Sequence, residues 1–184
     1  MSTLAGMNDV LFDDSTGEEQ NQYLTFRLGG ESFGVGILCV KEIIEYCTVT
    51  TVPMMPEFVH GVLNLRGRVV PVIDLSLRFG KGATAIGRRT CVIIVEIGAE
   101  KQGGEDMGIL VDGVNQVIEI PPDRIAPAPA FGAKVRSDFI AGMAEMDGHF
   151  VILLNVEQVL SVEEMAQVAQ AGTGGVVPAL EKAA

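Results

Sequence analysis

Tryptophan is absent from this chain, aromatic residues make up only 5% of it, and histidine occurs twice. The apolar interior must therefore be built from Val, Ile, Leu, Ala and Met, in short runs. No run reaches the roughly 18 apolar residues that span a bilayer. No basic region followed by an apolar stretch opens the chain, so no signal peptide is expected. Cysteine is scarce too: Cys39, Cys47 and Cys91 show no C-x-x-C spacing and lie among apolar neighbours. They are expected to be buried, reduced thiols. With His60 and His149 far apart, nothing has the spacing of a zinc site. Basic excess is also missing. The net charge is −11, of which residues 1–21 contribute −5 through Asp9, Asp13, Asp14, Glu18 and Glu19. An acidic chain without a basic stripe repels phosphate backbones, which argues against a nucleic-acid partner.

The 184 residues suffice for one ordinary domain or two very small ones. Residues 1–21 are polar and aperiodic and read as a disordered acidic lead. Residues 171–184, opening Ala-Gly-Thr-Gly-Gly, read as a flexible tail. Between them, strand patterns dominate. Tyr23 to Leu28 alternates, and Gly29-Gly30-Glu31 turns into Ser32 to Gly36. Leu38 to Glu45 has apolar residues at helical spacing and is expected to form a short helix. Val62–Leu65 and Val69–Ile73 flank a polar turn and predict a hairpin with Arg66 at its tip. Cys91–Ile97, Met107–Val111 and Val114–Ile120 read as further strands. A second hairpin, Phe139–Met146 with Phe150–Leu154, turns at Asp147-Gly148. Asn155 with Gln158 has the signature of a capping box, and Ser161 with Glu164 repeats it, predicting helix within 155–170.

The chain also echoes itself. Gly29-Gly30-Glu31-Ser32-Phe33-Gly34 matches Gly103-Gly104-Glu105-Asp106-Met107-Gly108 at an offset of 74. Gly61, Gly67 and Asp74 match Gly142, Gly148 and Asn155 at an offset of 81, and Asp74 and Asn155 would each cap a following helix. A duplicated set of about five short strands predicts a mostly all-β fold of two small barrels packed side by side, with short helices including a C-terminal one.

Chemistry is hard to find. Gly34-Val35-Gly36 lacks the third glycine of a dinucleotide fingerprint, because Cys39 stands there. Gly80-Lys81-Gly82 lacks the rest of a phosphate loop, and no G-x-S-x-G is present. Asp112 followed by glycine reads as a tight turn, and Asp74 as a helix cap. No cofactor, metal or catalytic residue is expected. Two exposed features remain. One is Arg66 on its hairpin, suited to pairing with a partner carboxylate. The other is Phe131, following the stiff Ala126-Pro127-Ala128-Pro129 stretch, either buried or an exposed aromatic anchor.

These motifs together resemble one family. Phe33-Gly34-Val35 with Val40-Lys41-Glu42-Ile43-Ile44, the run Gly61-Val62-Leu63-Asn64-Leu65-Arg66-Gly67, and Val70-Pro71-Val72-Ile73-Asp74-Leu75 are similar to the CheW-type coupling proteins of bacterial chemotaxis. Val111-Asp112-Gly113-Val114 and Ile125-x-Pro127-Ala128-Pro129 continue the match in order, from about residue 22 to 170. The resemblance implies two five-stranded SH3-like barrels and a non-enzymatic adaptor. Its partners would be the cytoplasmic tip of a transmembrane chemoreceptor and the regulatory domain of the histidine kinase CheA. It also implies a cytoplasmic protein, without membrane insertion of its own, recruited to receptor arrays. Receptor binding would fall on Val40, Glu42, Gly61 and Arg66, and Phe131 would contact the kinase or array. A CheW-like scaffold for a non-chemotaxis kinase pathway is the nearest alternative, and a small-ligand-binding barrel is a more distant one. A CheV-type protein would need a receiver domain for which 184 residues leave no room.

Overall fold

The computed structural model describes residues 19–98, 103–128 and 137–161. The acidic lead before residue 19, the tail and Phe131 lie outside the described residues. Eleven strands are present among those described: β1 (Gln22–Leu28), β2 (Glu31–Gly36), β3 (Val40–Glu45), β4 (Val59–Leu65), β5 (Arg68–Asp74), β6 (Cys91–Ile97), β7 (Glu105–Val111), β8 (Gly113–Glu119), β9 (Ile125–Ala126), β10 (Ile140–Met146) and β11 (His149–Leu154). Two one-turn helices follow the hairpins, α1 (Leu75–Arg78) and α2 (Val156–Val159). Glu19–Asn21, at the end of the expected lead, form a 3-10 turn, and the Asn21 carbonyl accepts from the Ile120 amide at 2.8 Å.

Two sheets result. One has the order β8-β1-β2-β11-β10-β9, the other β3-β6-β7-β5-β4. All neighbours are antiparallel except β2 with β11 and β5 with β7. The two sheets match the expected fold class, but one copy of the repeat does not make one sheet. Corresponding strands sit at offsets of 74 and 81, and each sheet takes strands from both copies. The chain crosses between sheets at residues 36–40 and again at 111–113. Asp112-Gly113 is thus a bend between sheets, not the turn of a hairpin.

The duplication holds at the level of single pairs. Val72 pairs with Gly108 across β5 and β7, and Leu153 with Gly34 across β11 and β2. Each hairpin carries a register shift next to its first glycine, Gly61 or Gly142. Each sheet also curls so that the chain beyond its edge strand returns to the hairpin. Thr50 exchanges two backbone hydrogen bonds of 2.8 Å with Val62, and Ala126 in β9 pairs with Met143. Both glycines are forced by this return. A Cβ at Gly61 would overlap the Thr50 carbonyl and Val49, and one at Gly142 would overlap Ile125.

Leu38–Glu45 is not a helix. Ile37–Cys39 form a 3-10 turn, and the rest is β3. The apolar spacing fits a helix, but three of its residues are β-branched, and burial alternates along β3 with period two. The open edge of β6 supplies its backbone partners, Val40 to Val95 through Glu45 to Cys91. Asn155 caps α2 as expected, accepting from the Gln158 amide. Residues beyond 161, including Glu164, lie outside the described residues.

The largest core lies between the two sheets. Phe26 and Phe33 from one side meet Ile93, Val95 and Ile109 from the other, all 1% exposed or less. Each such side chain contributes roughly 1.5–3 kcal/mol of transfer free energy. A smaller core fills each sheet's concave side, Val72, Val92 and Ile94 in one and Ala144, Val151 and Leu153 in the other. β6 therefore buries both faces, which explains its unbroken run Cys91-Val92-Ile93-Ile94-Val95.

Candidate partner-binding surface

β4 and β5 form the hairpin predicted around Arg66. Its two tip residues, Arg66 and Gly67, have φ of 52° and 84°, a two-residue turn with both residues left-handed. The Asn64 side-chain oxygen accepts from the Gly67 amide at 2.8 Å and fixes the tip. The second hairpin repeats the geometry at Asp147 and Gly148, with φ of 52° and 80°. Aspartate, whose short polar side chain can hydrogen-bond locally, tolerates the left-handed region better than arginine does. The first copy thus keeps an arginine at a position that does not favour it.

The Arg66 side chain is 78% exposed, and its Nη1 lies 2.9 Å from Glu42 Oε2 on β3. Two residues singled out separately in the sequence are therefore joined. They link the hairpin tip to the facing edge strand of the five-stranded sheet. Val40 lies two residues before Glu42 on β3 and packs against the margin of the central core. Gly61 is buried on β4, where its lack of a side chain admits the returning segment at Val49 and Thr50. Four of the five expected contact residues thus sit on β3 and the β4–β5 hairpin. The fifth, Phe131, lies outside the described residues.

A second charged group was not anticipated. Asp106 on β7, its side chain only 7% exposed, receives Lys41 Nζ and Arg68 Nη1, each at 2.9 Å. Glu96 approaches the same lysine at 3.7 Å. The hydrogen bond to Asp106 is the main cause holding the Lys41 ammonium above its usual pKa. The signal was legible: Asp106 occupies the place in the repeat where the other copy has Ser32. Tyr46 Oη and His60 Nε2 share a hydrogen bond of 2.9 Å.

The carboxylates weighed as chemical groups are engaged structurally. Asp74 accepts from the amides of Ser76, Leu77 and Thr84 and from the Thr84 hydroxyl. Asp112 accepts from the Gly29 amide at 2.8 Å. The cysteines are free thiols, and none is fully buried: Cys39 and Cys91 are half-buried and Cys47 is exposed, contrary to the expectation of three buried thiols. Cys39 donates to the Gly36 carbonyl at 2.9 Å, and burial pushes its thiol up to about 11. Among the described residues no helix is long and apolar enough to cross a membrane, and no three metal-binding side chains gather.

The sequence matches the CheW-like domain model over residues 22–164. The chain belongs to the CheW-like domain family. Among its relatives in that family is the chemotaxis protein CheW of Klebsiella aerogenes, 36% identical over 167 residues, covering 90% of this chain and 96% of the relative. CheW of Rhizobium meliloti is 30% identical over 143 residues, covering 78% and 89%. The scaffolding protein TtCheW from Thermoanaerobacter tengcongensis has a similar structure, with a TM-score of 0.69 and 32% identity over 79% of this chain and 90% of that one. The CheW-like match spans both sheets, so the whole described body is one family domain.

Proposed function

We infer that this CheW-like chain is a non-enzymatic coupling adaptor of chemotaxis signalling, which holds a receptor and a histidine kinase together. The partners are the cytoplasmic tip of a chemoreceptor and the regulatory domain of CheA, and the site of action is the cytoplasmic face of a receptor array. The single observation that carries the reading is the shared core. The two sheets bury one large apolar layer between them, so a contact made on one sheet is mechanically linked to a contact made on the other. An adaptor needs that property more than it needs tight individual contacts, because an array adds avidity.

Receptor contact is assigned to Val40, Glu42, Gly61 and Arg66, with Arg66 making the contact and Gly61 shaping the strand beneath it. Kinase or array contact is assigned to Phe131. The family membership, the exposed ion pair at the hairpin tip and the strained arginine that maintains it support the receptor assignment. The test is a pull-down with a purified receptor-tip fragment and, separately, with the CheA regulatory domain. Binding to both supports the reading, and binding to neither removes it.

A further inference from the structure

We propose that Arg78 is a positioning residue that ties the two sheets at one fixed angle; its consequence for signalling rests on the coupling role above. Arg78 ends α1, directly after β5 of the five-stranded sheet. Its guanidinium carbon lies 4.9 Å from the centroid of the Phe58 ring and 4.7 Å from that of Phe139. Its Nε donates to the Val159 carbonyl at 3.0 Å. Phe58 precedes β4 of its own sheet, but Phe139 and Val159 flank β10 and β11 of the other. One side chain therefore engages a ring and a backbone carbonyl across the boundary.

The internal repeat shows why this position is special. Phe58 and Phe139 correspond at the offset of 81, and so do Arg78 and Val159. The correspondence is structural as well. The Phe58 carbonyl accepts from the Asp74 amide at 2.7 Å, and the Phe139 carbonyl accepts from the Asn155 amide at 2.8 Å. The cation thus stands between two corresponding rings, and at the position corresponding to Arg78 the second copy has Val159, whose carbonyl receives the Arg78 Nε–H. Phe79 extends the same seam, stacking on Phe33 at 5.5 Å and lying 6.1 Å from Phe139.

Apolar packing holds the sheets together without strongly directing them, and packed layers can slide by small shear steps. A planar guanidinium between two rings, with a directed hydrogen bond to a carbonyl, specifies one arrangement. The contacts of Arg78 given above involve none of Val40, Glu42, Gly61 and Arg66. Loss of Arg78 should leave each contact surface intact while loosening their relation.

The experiment uses the full chain with Cys39, Cys47 and Cys91 replaced and spin labels at Val69 and Phe150, corresponding exposed positions on the two sheets. The distance distribution between labels is measured for the parent, Arg78→Met and Arg78→Lys. The unlabelled variants are assayed in parallel for receptor and kinase binding and for receptor-controlled kinase activity. Arg78→Met should broaden the distribution and keep both affinities within about twofold, while receptor control of the kinase falls about fivefold or more, the lower end of typical coupling. Arg78→Lys should lie between, since a lysine has charge but no plane to stack. A distribution as narrow as the parent's in Arg78→Met overturns the tie, and full restoration by Arg78→Lys overturns the role of the planar group. Should Arg78→Met fail to fold, Phe139→Leu removes one ring and is read by the same broadening. If the parent binds neither partner, the coupling reading fails on its own, and the distance width still decides the tie.

Discussion

Arg66 and Glu42 meet at 2.9 Å across the open end of the five-stranded sheet, joining a left-handed hairpin tip to an edge strand. With Arg66 78% exposed, such a pair contributes about 0–1 kcal/mol to folding. Folding alone gives the pair little to do, in line with the partner contact proposed for Arg66. Arg66→Glu is predicted to reduce receptor retention about tenfold or more, as loss of an interface arginine commonly does. Arg66→Asn should bind as poorly, yet fold with equal or slightly greater stability, because asparagine suits the left-handed tip. Chemical denaturation alongside the pull-down separates the two effects, and unchanged retention in both variants would remove Arg66 from the contact.

The two corresponding glycines should behave alike. Gly61→Ala and Gly142→Ala each push a Cβ into the returning chain, at Thr50 and Val49 or at Ile125. Each is predicted to destabilise by roughly 1–3 kcal/mol, the usual cost of overpacking. Gly36→Ala is the control, since nothing lies within 4 Å of a Cβ there. Midpoints from urea melts give the comparison, and a neutral Gly142→Ala would refute the proposed equivalence of the two closures.

The thiols should differ in reactivity. Exposed Cys47 is predicted to react first with a disulfide reagent at pH 8, and Cys39 last. Cys39 keeps its proton in the folded state up to about 11, against 9.0 for the free thiol. Between those values the unfolded chain has lost a proton that the folded chain retains, so this contribution to stability is complete below 9.0 and fades as pH rises towards 11. Cys39→Ala should flatten the alkaline loss of stability in that window, as read by denaturation at pH 8 and pH 10.5.

Much of this architecture is legible from residue order. Both hairpins, the caps at Asp74 and Asn155 and the duplication are visible because turns and caps depend on local chemistry. The interleaving is not, since nothing in the strands announces which sheet a strand will join. Val40, Ile43 and Ile44 misled for a related reason: their spacing suits a helix, and only the waiting edge of β6 decides for a strand. At the candidate site, Arg66 and Glu42 stand out separately, but their pairing depends on bringing β3 beside the hairpin tip. The interleaving has its own consequence. Fragments 1–86 and 87–184, cut between α1 and β6, each contribute strands to both sheets. Neither is predicted to fold alone, and mixing them should restore the β-sheet circular dichroism. A stable isolated fragment would contradict the shared core.

A chain that couples a receptor to a kinase, as proposed, must bring the one to the other. The most direct measurement is co-sedimentation of CheA with receptor-containing membranes, with and without the protein. Added wild-type chain is predicted to sediment with the membranes and to carry additional kinase down, and Arg66→Glu to do neither. Kinase sedimentation that is identical with and without the chain, or a chain that stays in the supernatant, would contradict the coupling role.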